Sequence, residues 1–384
     1  MNERATTAEG VRRTNLAEVL RLVHHGGPRS RAVITAETGL NRSTVSDLVS
    51  SLVDAGLVRE HDPDPTRRVG RPSPIVAASP DVVAIGVNPE IDAVEIGAVS
   101  LGGAVRLRAR IATSDPDVAE VVDIVTRTVQ EWRAGELAGC RIVGVGIAVP
   151  GLVRADDGLV RLAPHLHWND ADIAGPLRAA LDTPVVVGND ASLGVRAERL
   201  FGAAHEHTDV VYLNGGASGI GGGLVLHGQL IGGEGGYAGE WGQTAASLTD
   251  AADRRADGGV LEDEVNRARL VRAAGLDAPD DAELEAALAS PGDAADEAAR
   301  QRRILAATLG NAVNVLNPSM IVLGGFLGSL RDLDQQGFDD EVRARALAAS
   351  AEHLELASAA LGADRLLIGA AEAALERLLS DPLG

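Results

Sequence analysis

Apolar residues at Leu16, Val19, Leu20 and Val23 fall at the i, i+3, i+4, i+7 spacing that places them on one face of a helix. Gly26-Gly27-Pro28 ends that helix. Ser30 is suited to cap a short second helix running to Thr38, and Gly39 supplies the left-handed residue for a sharp turn. Leu40 is expected to plug that turn into the core. Asn41 can cap a third helix with Val45, Leu48, Val49 and Leu52 inward, and Arg42, Ser43, Thr44, Ser46, Asp47 and Ser50 outward, until Gly56 stops it. Two helices joined by a short glycine turn, the second with an arginine and small polar residues at its exposed start, predict a helix-turn-helix that enters a major groove. Arg42, Ser43, Thr44 and Ser46 are the base-reading candidates. A short apolar run, Leu57-Val58, a polar turn and Arg67-Arg68-Val69-Gly70-Arg71-Pro72 then read as a hairpin wing, with Arg67, Arg68 and Arg71 placed to contact phosphates or a minor groove.

From Val82 the pattern changes to short β-branched runs, Val82–Val87, 142–149, 185–187, 210–213 and 320–323, alternating with helical stretches. That alternation predicts an α/β body with a largely buried sheet, and glycines at the strand ends are read as ligand loops. The stretch 251–300, rich in Ala, Asp and Glu, reads as surface helices and loops of little chemistry.

Composition refines this division. A chain of 384 residues is too long for one ordinary domain, and no apolar run approaches the roughly 18 residues needed to cross a bilayer. One cysteine, Cys140, cannot form an internal disulfide, and Met1–Thr6 lacks the apolar run of a signal peptide, so a cytoplasmic location without membrane contact is expected. The net charge of −20 argues against nucleic acid only if it is spread evenly, and it is not. Residues 1–75 carry 11 arginines against 9 acids, a net of +2, which leaves 24 against 46, a net of −22, on the rest.

The motifs Gly144-Val145-Gly146-Ile147-Ala148-Val149-Pro150-Gly151, Leu166-His167-Trp168-Asn169-Asp170, Gly188-Asn189-Asp190-Ala191, Gly219-Ile220-Gly221-Gly222-Gly223, Gly239-Glu240-Trp241-Gly242 and Asn317-Pro318 with Leu323-Gly324-Gly325 follow one another in an order that resembles the ROK group of repressors and sugar kinases. The resemblance implies a two-lobed actin-like ATPase (ribonuclease H-like) α/β fold preceded by an all-α winged helix-turn-helix domain. The expected layout is a DNA-binding domain at 1–76 and a sugar-sensing domain at 82–384, with a small lobe at about 82–188 plus the C-terminal helix and a large lobe at about 189–370.

Departures from the resemblance bear on function. The kinases of the group open with an Asp-x-Gly-Gly-Thr phosphate loop, whose glycines let backbone N–H groups approach the nucleotide. Here the stretch is Asn88-Pro89-Glu90-Ile91-Asp92, with bulk and negative charge where phosphates would sit. The group's Cys-rich zinc loop corresponds to Asp253–Glu262, without a thiolate, and Gln243 replaces its histidine. No cofactor, nucleotide or metal is therefore expected, and no catalytic residue. The sugar-binding set that the resemblance implies is retained: Asn189, Asp190, Glu240 and Glu262, with Gly151, and with His165 and Gln243 standing where the kinases have Asn and His. Carboxylates suit hydroxyl recognition because each accepts several hydrogen bonds. The expectation is a repressor whose operator binding responds to a sugar or sugar phosphate held in the cleft, with duplex DNA as partner and a homodimer or homotetramer as its state. A sugar kinase with an accessory DNA-binding head and an assembly module are the alternatives.

Overall fold

The computed structural model describes residues 8–62, 73–216, 219–248, 250–277, 279 and 281–384. Arg67, Arg68 and Arg71, predicted for the wing tip, lie outside them. The chain divides into two compact units, one of residues 1–148, 171–187 and 367–384, the other of 149–170 and 188–366.

In the first unit the predicted head folds as helices Ala8–Gly26, Arg31–Thr38 and Arg42–Asp54. Ser30 and Asn41 cap the second and third, and Gly39 ends the second at φ 69°. Leu16, Val19, Leu20 and Val23 are buried, as are Val45, Leu48, Val49 and Leu52. Leu40 is only half-buried, and Ile34, which the turn-based reading passed over, is the second helix's buried side chain. The head also carries a three-stranded sheet, in which Val58–His61 pairs antiparallel with Ile75–Ala78 to form the stem of the wing, and Arg29–Ser30 pairs on the other side.

The body of this unit is a five-stranded sheet, in spatial order Val185–Asn189, Arg141–Val149, Val82–Pro89, Ala93–Ser100 and Val105–Ala112. Val82–Pro89 is buried along its whole length and runs parallel to Arg141–Val149, whereas Val105–Ala112 alternates between half-buried and exposed as an edge strand does. The C-terminal helix, Arg365–Ser380, lies close against the sheet. A Cβ on Gly146 would stand 1.8 Å from the Ala370 carbonyl oxygen, and one on Gly86 would stand 2.2 Å from that of Leu367. These mid-strand glycines therefore serve helix packing. Gly146→Val is expected to cost about 3 kcal/mol, because backbone cannot move aside as a side chain can. A urea-denaturation midpoint equal to that of the wild type would contradict this packing.

The second unit is built on a five-stranded sheet in the order Gln229–Leu230, Gly219–Leu226, Val210–Gly216, Met320–Gly325 and Glu355–Ser358. Val210–Gly216 is antiparallel to Gly219–Leu226 and parallel to Met320–Gly325. Asp190–Phe201 packs on the sheet through Ala191 and Val195 beside Tyr212. The 251–300 stretch is not a surface appendage: Leu261, Leu270, Leu284 and Leu288 are buried in one core with Leu305, Leu323 and Phe338. Its helices, 261–264, 267–274 and 281–288, are too short to display an apolar repeat, which is why composition alone misjudged them.

Candidate functional site

The start of the third helix gathers the predicted DNA-reading residues. Asn41 Oδ1 accepts from the Thr44 N–H at 2.9 Å and from the Ser43 hydroxyl at 2.7 Å, so Ser43 and Thr44 are fixed by the cap that also exposes Arg42. Ser46 is half-buried and its Oγ accepts from Arg31 at 2.8 Å. Arg31 in turn forks onto Glu60 of the wing stem at 2.5 and 2.6 Å. Arg31 therefore ties the third helix to the stem of the wing, a role that its place at the start of the second helix did not reveal.

All seven predicted ligand residues lie in the second unit. Asn189 caps the helix that begins at Asp190: its Oδ1 accepts from the Ser192 N–H at 2.9 Å, and its Nδ2 donates to the Gly151 carbonyl at 3.0 Å and to Asp190 at 3.2 Å. Its side chain is thus spent on holding Gly151 and Asp190 in place. Asp190 Oδ1 also accepts from the Ala191 N–H at 2.8 Å. Enclosure by protein pushes the Asp190 carboxyl up to about 6; the Ala191 N–H and Arg365 pull it down, and Glu240 pushes it further up. Arg365 donates to the Gly362 carbonyl at 2.8 Å and faces Tyr212 as well as Asp190. A lone arginine late in the chain carries no sequence signal for such a role.

Glu240 and Glu262 face the same region. Partial burial raises the Glu240 carboxyl above its ordinary range, and the Glu262 carboxylate adds to the rise. Glu262 accepts from the Ile220 N–H at 3.2 Å and from the Gln243 amide. The turn Glu240–Gln243 lies flat on the strand Gly219–Leu226 because a Cβ on Gly222 would stand 1.9 Å from Trp241 Cδ1. The structure thus brings Asn189, Asp190 and Gly151 together, and Glu240, Gln243 and Glu262 together, with Glu240 felt electrostatically at Asp190. His165 is exposed on the short turn Pro164–Leu166, and among the described residues no hydrogen bond joins it to the other six. Asp190 and Glu240, both raised above the ordinary carboxylate range, thus lie in one region with Glu262, and Arg365 faces Asp190.

The turn that the resemblance equates with a phosphate loop spans Glu90–Asp92, between Val82–Pro89 and Ala93–Ser100 of the first unit. The Glu90 N–H donates to the Ala93 carbonyl at 2.8 Å and Asn88 Nδ2 donates to Glu90 at 2.8 Å. Desolvation raises the Glu90 carboxyl, Asn88 lowers it, and the neighbouring Glu95 and Asp92 raise it again. The loop that corresponds to the group's zinc loop is organised by an acid and an arginine. Buried Glu264 accepts from the Arg255 N–H at 3.0 Å, from the Ala256 N–H at 2.9 Å and from Arg300 Nη1 at 2.8 Å, and Arg300 also donates to the Asp253 carbonyl at 2.6 Å. Burial raises the Glu264 carboxyl, but these donors outweigh it and hold it below its ordinary value.

A winged-helix head followed by α/β sheets in two units, the second with a glycine-rich strand beside a set of acids, defines a class: a winged-helix module fused to a sugar-kinase-like, actin-like body. The chain belongs to the ROK family, which it matches over residues 84–377, and residues 17–68 match the MarR family. It is 27% identical over 236 residues to the xylose repressor of Bacillus subtilis (strain 168), covering 60% of each chain. It is 25% identical over 376 residues to the xylose repressor of Caldicellulosiruptor bescii, covering 92% of this chain and 93% of that one. A glucokinase of Halalkalibacterium halodurans is 29% identical over 250 residues, covering 59% of this chain and 74% of that one. Among solved structures, a ROK family transcriptional regulator described as a homologue of the E. coli MLC protein superposes with a TM-score of 0.77 at 24% identity, over 97% of this chain and 98% of that one. The ROK glucokinase of Streptomyces griseus does so with a TM-score of 0.63 at 24% identity, over 77% of this chain and 99% of that one. Among the described residues no helix is long and apolar enough to cross a membrane.

Proposed function

We propose that this protein is a transcriptional repressor whose operator affinity is set by a sugar bound at Asp190, Glu240 and Glu262, and that its ROK body does not catalyse phosphoryl transfer. The turn Asn88–Asp92 carries the reading. No glycine stands in it, Asn88 bonds to Glu90 across it, and Glu90, Asp92 and Glu95 outnumber Arg108 and Arg110, which pair with Glu95 and Asp92, so a nucleotide phosphate meets bulk and a net negative charge there. In the second unit, by contrast, Asp190, Glu240 and Glu262 offer acceptors to the hydroxyls of a sugar, with Asp190 and Glu262 each steadied by a backbone N–H. Xylose is the first ligand to try, since the relatives named xylose repressors supply it. The proposed assembly is a dimer or a tetramer, which would present two heads to half-sites about one helical turn, or a multiple of it, apart.

Fluorescence anisotropy on duplexes from the gene's own upstream region tests the reading. Binding that survives excess competitor DNA at moderate salt, and that changes on adding xylose or another aldose, is the expected result. ATP turnover with a hexose panel, lost in Asp190→Asn, would establish the kinase reading instead. Arg42→Ala is expected to weaken specific binding by about 1–3 kcal/mol and to relax preference at one base position. An Arg42→Ala protein with unchanged affinity and sequence preference would remove the third helix from the interface.

A further inference from the structure

The first helix of the head and the C-terminal helix share a buried joint within the first unit. His24 and Glu372 are both inaccessible to solvent, and His24 Nε2 lies 2.9 Å from Glu372 Oε1. On the other side of the imidazole, the Gly102 N–H donates to His24 Nδ1 at 2.7 Å. A backbone N–H can only donate to an unprotonated nitrogen, so His24 carries its proton on Nε2, is neutral, and donates that proton to the Glu372 carboxylate. His25, partly exposed, has its Nε2 3.7 Å from the second Glu372 oxygen. Burial pushes the Glu372 carboxyl up, and the hydrogen bonds from the two histidines pull it down. Exposed contacts flank the joint: Arg21 reaches Glu376 at 2.5 Å and Ser380 at 2.8 Å, and Arg13 lies 3.6 Å from Asp381.

Given the reading of the head as a DNA-binding module, we propose that His24 is a positioning residue for operator binding: a neutral histidine, bonded to the Gly102 backbone and to Glu372, that fixes the angle at which the C-terminal helix holds the head. Two features carry this assignment beyond a packing role. The imidazole uses both nitrogens on partners from two different segments of the body, whereas a space-filling residue would use neither. Its bond to Glu372 is buried and its bond from Gly102 half-buried, so losing either leaves a polar atom short of a partner away from bulk water.

The test uses the full chain and a wild-type upstream duplex that it binds specifically. His24→Phe, which keeps the ring and loses both bonds, is expected to lower operator affinity at least tenfold per folded molecule and to blunt any response to xylose. Glu372→Gln is expected to do the same to a smaller degree. His24→Gln, whose amide can accept from Gly102 and donate to Glu372, is expected to recover part of the affinity. In the wild type, nitrogen-15 spectra of the imidazoles are expected to show a His24 with an acceptor Nδ1 and a protonated Nε2 at neutral pH. Folded His24→Phe and Glu372→Gln proteins that bind the operator as the wild type does would overturn the proposal. So would a His24 ring protonated on Nδ1, or one whose signals shift on adding zinc, since His24, His25 and Glu372 present ligand atoms within 4.8 Å of one another. If the wild type binds no upstream duplex, it is the DNA-binding reading that fails, and the tautomer measurement still decides the joint.

Discussion

Asp190→Ala is expected to weaken sugar binding by about 3 kcal/mol, a hundredfold or more, and to abolish the effect of the sugar on DNA, because charge-assisted hydrogen bonds from hydroxyls are lost at an enclosed position. The wild type should show the same dependence through protonation. The free carboxyl sits at about 6, above its ordinary value of 3.8, and only its ionised form accepts from two hydroxyls at once. Affinity should therefore fall as pH drops through about 6 and level off above it, and Asp190→Asn should flatten the profile. The sign reverses for stability without ligand. A carboxyl whose value is raised in the fold favours the folded state most at low pH, and that contribution is lost as pH rises through about 6. Asp190→Asn should thus melt no lower than the wild type at neutral pH while losing the sugar-induced rise in midpoint, which thermal melting with and without xylose would show. A titration of affinity that stays flat between pH 5 and 8 would place the ligand elsewhere.

The second large effect is on the loop before Glu262. Arg300→Met should cost about 3–5 kcal/mol, since it strands the buried Glu264 carboxylate with only two backbone donors. Glu262 stands two residues before Glu264 on the same helical turn, Leu261–Glu264, so sugar affinity should fall in the folded fraction as well. Glu264→Gln should cost less, because its amide oxygen can still accept from Arg255 and Ala256. Chemical denaturation with sugar titration on each variant separates the two losses, and an Arg300→Met protein as stable as the wild type would show that the ion pair does not organise this loop.

The head was legible because caps and periodicity state it locally. Ser30, Gly39 and Asn41 each signal a boundary through one side chain or one backbone conformation, and every predicted inward residue of the first and third helices is buried. Motif order in the sequence named Asp190, Glu240 and Glu262, the acids proposed to hold the ligand. What the sequence concealed are features made by distance in space. Arg31 acts through Ser46 and Glu60, Arg365 through Asp190, and Arg300 through Glu264, pairs separated by 15 to 175 residues. Gly146 looked like part of a loop motif, but its lack of a Cβ serves a helix more than two hundred residues later. The Ala-rich stretch 251–300 hid its core residues by spreading them singly over short helices.

The most direct measurement is a paired anisotropy titration of the upstream duplex with the wild type and Asp190→Ala, each with and without saturating sugar. A sugar that binds at Asp190 and governs the head predicts equal operator affinity for the two proteins in its absence and a sugar-dependent change of at least tenfold in the wild type alone. An equal sugar response in both proteins would contradict the assignment of the ligand to Asp190 and its partners.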